Sequence, residues 1–341
     1  MPTSTTIRAD AHGNPISGSS DAIARYDVAV DHLLAYREAL LDAMGAVAEQ
    51  DPDLPMGQVL IGYLSLTSTD VPDVPAAADA LAALDQLELN DRETTHRAAL
   101  AAWVDGDWHG AAGRLDDLLV QWPADLLALV VGHQLDFFRG DARNLRDRVG
   151  RSLGAVDPQH PHHGYVRGMY AFGLEESGHY ELAEEHGQAA VAANPDDVWG
   201  IHAVVHTYEM QGRVDDGIRF LRSPSTQWET GNLFSVHNWW HLALYLLEAG
   251  RPDEALAIYD RHIHHAESAG VPLELLDASA LLWRLRLDRV DTGDRFDALA
   301  AVWSTRTADE PWYAFNDLHA TIALAGAGRI TEARAASVRA T

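Results

Sequence analysis

Cysteine is absent from this 341-residue chain, and lysine is absent too: all 25 basic residues are arginine. The first absence excludes disulfide staples, thiolate nucleophiles and cysteine zinc sites. The second excludes lysine Schiff-base chemistry and the Walker phosphate loop, which needs its lysine. Long apolar runs are missing as well. No eighteen consecutive apolar residues occur, so no membrane partner is expected. The polar stretch from Met1 to Asp10 has no apolar signal core, which points to a cytoplasmic protein. Positive charge is scarce, and the formal net charge of -26 would repel the phosphates of a nucleic acid. The surplus of acid reads as solubility. The chemistry left to the chain is that of His, Asp, Glu, Arg, Tyr, Ser and Thr.

Hydrophobic residues make up 47% of the sequence, enough for a large core. Their spacing is helical throughout, with no strand pattern of any length. Residues 1–20, through Gly13-Asn14-Pro15 and Ser17-Gly18-Ser19-Ser20, have loop chemistry and form an arm. Asp21 is placed to cap one long apolar-periodic stretch, Ala22 to about Ala48. Asp51-Pro52-Asp53 ends it, Gln58 to Leu66 forms another helix, and Ala76 to Leu87 a third after a proline-containing linker. Residues 21–90 are thus non-repeat helices.

From residue 91 to 341 a repeat takes over. Gly106, Gly140, Gly178, Gly212, Gly250, Gly293 and Gly328 are 34 to 43 residues apart, and alanine follows by five at Ala111, Ala183, Ala255 and Ala333. A helix, a tight turn and a second helix crossing closely through a small residue would give this pattern, at the period of tetratricopeptide repeats. Leu145 and Gly217 break the alanine rule. The expected fold is all-α: a right-handed solenoid of about seven helical hairpins with an amino-terminal helical extension, packed as one continuous domain. Most of the ten tryptophans, Trp103 and Trp239 among them, read as core.

Several stretches are more specific. His163-Gly164-Tyr165-Val166-Arg167-Gly168-Met169-Tyr170-Ala171-Phe172-Gly173-Leu174-Glu175-Glu176 resembles the tetratricopeptide repeat protein 38 family. So do Trp199-Gly200-Ile201-His202-Ala203-Val204-Val205-His206-Thr207-Tyr208-Glu209-Met210, His237-Asn238-Trp239-Trp240-His241 and Asp277-Ala278-Ser279-Ala280-Leu281-Leu282-Trp283-Arg284-Leu285. The resemblance spans nearly the whole chain and implies an architecture, with no assigned reaction. Family members run on beyond the point matching Thr341, through a Gly-Gly-Ser-His segment. The last hairpin is then expected to be exposed, with a tendency to homodimerise.

Histidines supply the functional lead. Counted back from the turn glycine as position 15, positions 2, 5, 9 and 12 of each first helix share one sector, expected to face a concave channel. His202, His206, Glu209, His237 and Glu175 take such positions, and Trp240 takes another. His241, His319 and Asp277 lie on a flank within reach, and His163 precedes its helix, where it could cap it. His-x-x-x-His stacks two imidazoles on one helical face, so His202, His206 and His237 are the expected metal ligands. Glu209, Glu175, His241 and Asp277 are the candidates for acid–base work, and His163, Trp240 and His319 for the walls of a small-molecule pocket. An N/O ligand set suits zinc, manganese, iron or nickel. The leading expectation is a small-molecule binder, or a metal-dependent enzyme of hydrolase or lyase type. The alternative is a scaffold holding a peptide or protein partner in its channel, without catalysis. His133 with Asp136 reads as structural. His160-Pro161-His162 reads as loop and His262-Ile263-His264-His265 as a helix end, both away from the site.

Overall fold

The computed structural model describes residues 6–306 and 312–339, so Ala340 and Thr341, at the expected exposed end, lie outside it. Among the described residues are eighteen α-helices and one short β-hairpin. Four helices come first: α1 (Ser20–Leu34), α2 (Leu40–Gln50), α3 (Pro55–Thr67) and α4 (Val74–Leu84). Seven helical hairpins follow. They are α5 (Asp91–Val104) with α6 (Trp108–Gln121), α7 (Leu126–Phe138) with α8 (Ala142–Ser152), and α9 (His163–Glu176) with α10 (Tyr180–Ala193). Next come α11 (Val198–Met210) with α12 (Val214–Leu221), and α13 (Ser235–Glu248) with α14 (Pro252–Ile258). The last are α15 (Pro272–Leu287) with α16 (Arg295–Arg306), and α17 (Ala314–Gly326) with α18 (Ile330–Arg339). This is an all-α, tetratricopeptide-like helical repeat. No described helix is long and apolar enough to cross a membrane.

Each of the seven turn glycines has positive φ, from +55° to +79°, the left-handed conformation that only glycine adopts without strain. At Gly178 the turn closes through two backbone bonds of 2.8 Å, from its own N–H to Glu175 and from the His179 N–H to Leu174. Aspartates then start several following helices: Asp107, Asp125 and Asp141 accept the N–H of Gly110, Ala128 and Asn144, as N-caps do. The two exceptions to the alanine rule have steric partners. A Cβ on Gly217 would sit 2.2 Å from the Tyr245 ring, and one on Gly173 would sit 2.6 Å from the Leu145 carbonyl. Helix crossing is close at both places, and the small residue sits on whichever helix the neighbour demands.

Contacts divide the chain into two compact units. One comprises Met1–Thr67, Val74–Thr207 and Ser225–Leu233; the other comprises Ser68–Asp73, Tyr208–Pro224 and Phe234–Thr341. The division falls inside α11.

The first unit departs from the sequence reading near its start. The arm is a two-stranded antiparallel hairpin, β1 (Ile7–Ala9) with β2 (Pro15–Ser17). Strands of three residues are too short to show alternation, which is why no strand was expected. Ser19, not Asp21, caps α1, accepting the Ala22 N–H. The expected continuous helix to Ala48 breaks at Tyr36, which has φ of 52°. Tertiary contacts hold that residue: its carbonyl accepts the Leu233 N–H at 2.7 Å, its hydroxyl accepts from Gln134 at 2.6 Å, and its ring packs on Trp199.

A buried ionic network fastens the arm. Arg92 on α5 donates to Asp125 at 2.6 Å and to the Pro15 carbonyl, and pairs with Asp10 at 3.0 Å. His96 lies 2.9 Å from the same Asp125 oxygen, and the Tyr63 hydroxyl lies 3.2 Å from the other His96 nitrogen. Burial would raise the Asp125 pKa, but Arg92 and then His96 outweigh it and hold the carboxyl well below its ordinary range. Glu93 completes a capping box with Asn90 and also accepts the N–H and hydroxyl of Ser17.

In the second unit, α13 packs beside α15 and α15 beside α17. The 68–73 segment is held by an Arg306–Asp70 ion pair and by Asn316 donating to the Thr69 carbonyl at 2.9 Å. The Trp303 indole donates to Ser279 inside this core. Trp239, expected in the core, is half-buried and stacks on His262 at 3.8 Å.

Candidate functional site

Two groups of expected site residues assemble, one in each unit. In the second unit, α13 carries His237 and His241 one turn apart, so their rings meet edge to face at 4.6 Å. The Nδ1 of His241 lies 2.9 Å from Glu209, in the last turn of α11. The Nδ1 of His237 lies 3.0 Å from both oxygens of Asp277 on α15. The two Nε2 atoms face each other at 3.1 Å. The result is a line of four groups, carboxylate, imidazole, imidazole, carboxylate.

Tautomer logic gives this line its interest. A carboxylate only accepts, so each Nδ1 must carry the proton it donates. With each Nδ1 donating to its carboxylate, the two Nε2 atoms are left facing one another at a distance that suits something shared between them. A shared proton satisfies it, and so does a metal ion, since metal-bound histidines usually present the opposite nitrogen to a carboxylate. His241 is buried and His237 half-buried. Trp240 stacks on His237 with rings 16° from parallel and meets His241 edge-on, so it walls these rings. Arg284 lies 5.9 Å above Trp240.

In the first unit, α11 brings His202 and His206 edge to face at 4.3 Å, with Phe172 of α9 against both. The Nδ1 of His206 lies 3.4 Å from Glu175 and 3.9 Å from Glu176. Glu175 is buried, and its Oε2 finds no hydrogen bond among the described residues. Burial, then the adjacent Glu175, raise the Glu176 pKa, with His206 opposing. His206 and the two carboxylates also offer ligand atoms within 4.8 Å of one another. Glu176 was not expected here; it sits one residue beyond the channel-facing sector, and only packing draws it to His206.

The remaining expected residues stand apart. His163 is the first residue of α9 rather than the residue before it, and His162 holds the N-cap position without capping. Burial, then Arg167, lower the His163 pKa. His319 is buried with its Nδ1 on the Phe315 carbonyl at 2.8 Å; burial lowers its pKa, and Asp277 is near enough to oppose this. His133 is buried between Phe172 and Trp199, while Asp136 pairs with Arg148.

No family model matches the chain. Among solved structures, it is similar to that titled crystal structure of the P58(IPK) TPR domain, with 14% identity over 91% of this chain and 89% of that one. The TM-score is 0.26, too low to carry any argument; the repeat assignment rests on the turns and helix pairs described above.

Proposed function

We propose that the protein is a tetratricopeptide-like repeat protein related to the tetratricopeptide repeat protein 38 family, and that it binds a small molecule at a His/Glu site built around a divalent metal. The supporting observation is the pair of Nε2 atoms at 3.1 Å, each ring fixed from behind by a carboxylate. With nitrogen–metal bonds of about 2.0–2.1 Å, two tetrahedral ligand atoms stand roughly 3.4 Å apart, close to this spacing. His237 and His241 would hold the ion, and Glu209 and Asp277 would fix their tautomers and orientation. Such an ion, when bound, supplies a Lewis acid and a water of lowered pKa.

The chain's own groups do the rest. Trp240 gives the site an apolar wall. His206, Glu175 and Glu176 form a separate candidate acid–base group on α11 and α9, where burial and the adjacent Glu175 raise the Glu176 pKa. Hydrolysis or lyase chemistry fits this inventory. A peptide-holding scaffold would instead display Arg, Asn or an open apolar groove, and these imidazoles and carboxylates are already engaged with one another.

The test is the metal content of tag-free protein prepared without chelators. His241→Ala and His237→Ala are each expected to lose one ion per chain. Glu209→Gln and Asp277→Asn should weaken it about 10–100-fold. An ion count untouched by His237→Ala and His241→Ala would sink the metal reading in favour of the shared proton.

A further inference from the structure

A second set of imidazoles meets where no helical spacing could bring them together. His12 is in the turn of the amino-terminal hairpin, while His160 and His162 are in the loop that leads into α9. Each offers a ring nitrogen within 4.8 Å of the other two, although His12 and His162 are 150 residues apart in the chain. Ring centroids are 4.5 Å apart for His12 and His160, 5.1 Å for His12 and His162, and 4.7 Å for His160 and His162.

His162 is the best oriented of the three. Its Nε2 faces Asp31 at 3.0 Å and its Nδ1 faces Nε2 of His12 at 2.9 Å. The carboxylate accepts a hydrogen bond from Nε2–H, which leaves the Nδ1 lone pair directed at His12. This is the carboxylate-backed geometry of metal-bound histidine. The His160 Nδ1 accepts the His162 N–H at 3.1 Å, which orients its ring beside the other two.

The two segments are held in place before any ion arrives. Asp10 accepts the N–H groups of His12 and Asn14, both at 2.9 Å, and is itself paired with buried Arg92. Asn14 donates to the Ala124 carbonyl. On the other side, the His160 N–H is bonded to the Asp157 carbonyl at 2.8 Å and the His163 N–H to the His160 carbonyl at 3.0 Å. Preorganised ligands bind an ion without the cost of ordering a loop.

We propose that His12, His160 and His162 form a tri-imidazole site for a divalent transition metal of the zinc type, which clips the amino-terminal arm to the loop before α9. His162 is buried and the other two are half-exposed, so a fourth, outward position is open to water. Tetrahedral zinc places ligand nitrogens about 3.4 Å apart, so the His12–His162 pair opens by roughly half an ångström. The all-nitrogen donor set favours zinc, cobalt, nickel or copper over magnesium or calcium. This site is independent of the one on α13.

Calorimetric titration of zinc into the full-length, tag-free chain carrying His237→Ala separates the two sites. One ion should still bind, raise the unfolding temperature and slow proteolysis within the arm. His12→Ala and His162→Ala, added singly, should each weaken binding at least about 100-fold and abolish both effects. Asp31→Asn keeps an acceptor for His162 but removes its charge, and should weaken binding about 10-fold. His12 lies in a half-exposed turn, so its replacement leaves the fold to report on the site alone. No zinc binding in the His237→Ala chain would overturn the proposal, as would affinity unchanged by His12→Ala and His162→Ala.

Discussion

Two constellations in this protein, one buried and one half-buried, use the same residue types to opposite ends. Around Asp125, in the first unit, two carboxylates, an imidazole and a tyrosine close on a guanidinium, and Arg92 neutralises the acids it touches. Around His237 and His241, in the second unit, two carboxylates hold two imidazoles from outside, and the inner nitrogens face each other. The first has its cation built in as a side chain. The second has no cationic side chain between its imidazoles, and the proposed ion would take that position. Where the cation is part of the sequence, the network fastens the arm to α5. Where no guanidinium stands between the rings, the same residue types fit the ion proposed above.

Removing the built-in cation should have the largest effect. Arg92→Met leaves Asp125 and Asp10 buried without it, and breaking a buried pair from one side costs about 3–5 kcal/mol. Urea unfolding would measure this; a loss below about 1 kcal/mol would mean that the network is not what secures the arm.

Asp197 is the intermediate case, a buried acid with no cation. One oxygen accepts the Gly200 N–H at 3.0 Å, and the other has no hydrogen bond among the described residues. Burial above all pushes its pKa from 3.8 up to about 7. Below pH 3.8 both folded and unfolded states hold the proton. Between 3.8 and 7 only the folded state does, so stability falls as pH rises through that window. Asp197→Asn should therefore stabilise more at pH 8 than at pH 5, by about 2–3 kcal/mol at 1.36 kcal/mol per unit. Equal effects at the two pH values would show that Asp197 is ionised in the folded protein.

The sequence already contains much of this picture, and what it hides has a physical reason. Gly106 through Gly328 were legible because a left-handed turn demands glycine, and the pairing of His237 with His241 because i and i+4 share a helical face. The bond from His237 to Asp277 was not, since it depends on how α13 lies against α15. Tyr36 hid its helix break because nothing local requires one; Leu233, Gln134 and Trp199 impose it from afar. His160 and His162 read as loop residues for the same reason. Their partner, His12, stands on a hairpin whose strands are too short for a period, and Asp10 and Arg92 place it.

His133 sharpens the comparison from the other side, as a buried imidazole with no carboxylate. Neither ring nitrogen has a hydrogen bond among the described residues. Burial lowers its pKa from 6.5 to about 3; the Leu145 backbone favours the charged ring and Arg148 opposes it. Above pH 6.5 neither state is protonated, so the residue contributes no slope there. As pH falls from 6.5 towards 3, the unfolded chain takes up a proton that the folded chain refuses, and stability is lost. His133→Leu puts an apolar side chain of similar size against Phe172 and Trp199 and removes two nitrogens that have no hydrogen bond among the described residues. At pH 7 the change should be the smallest of these, within about 1 kcal/mol. Its effect belongs to the acid limb, where unfolding at pH 4 should show the variant about 3 kcal/mol more stable than the parent. A parent and variant with parallel stability curves from pH 7 to 4 would mean that His133 is charged in the fold.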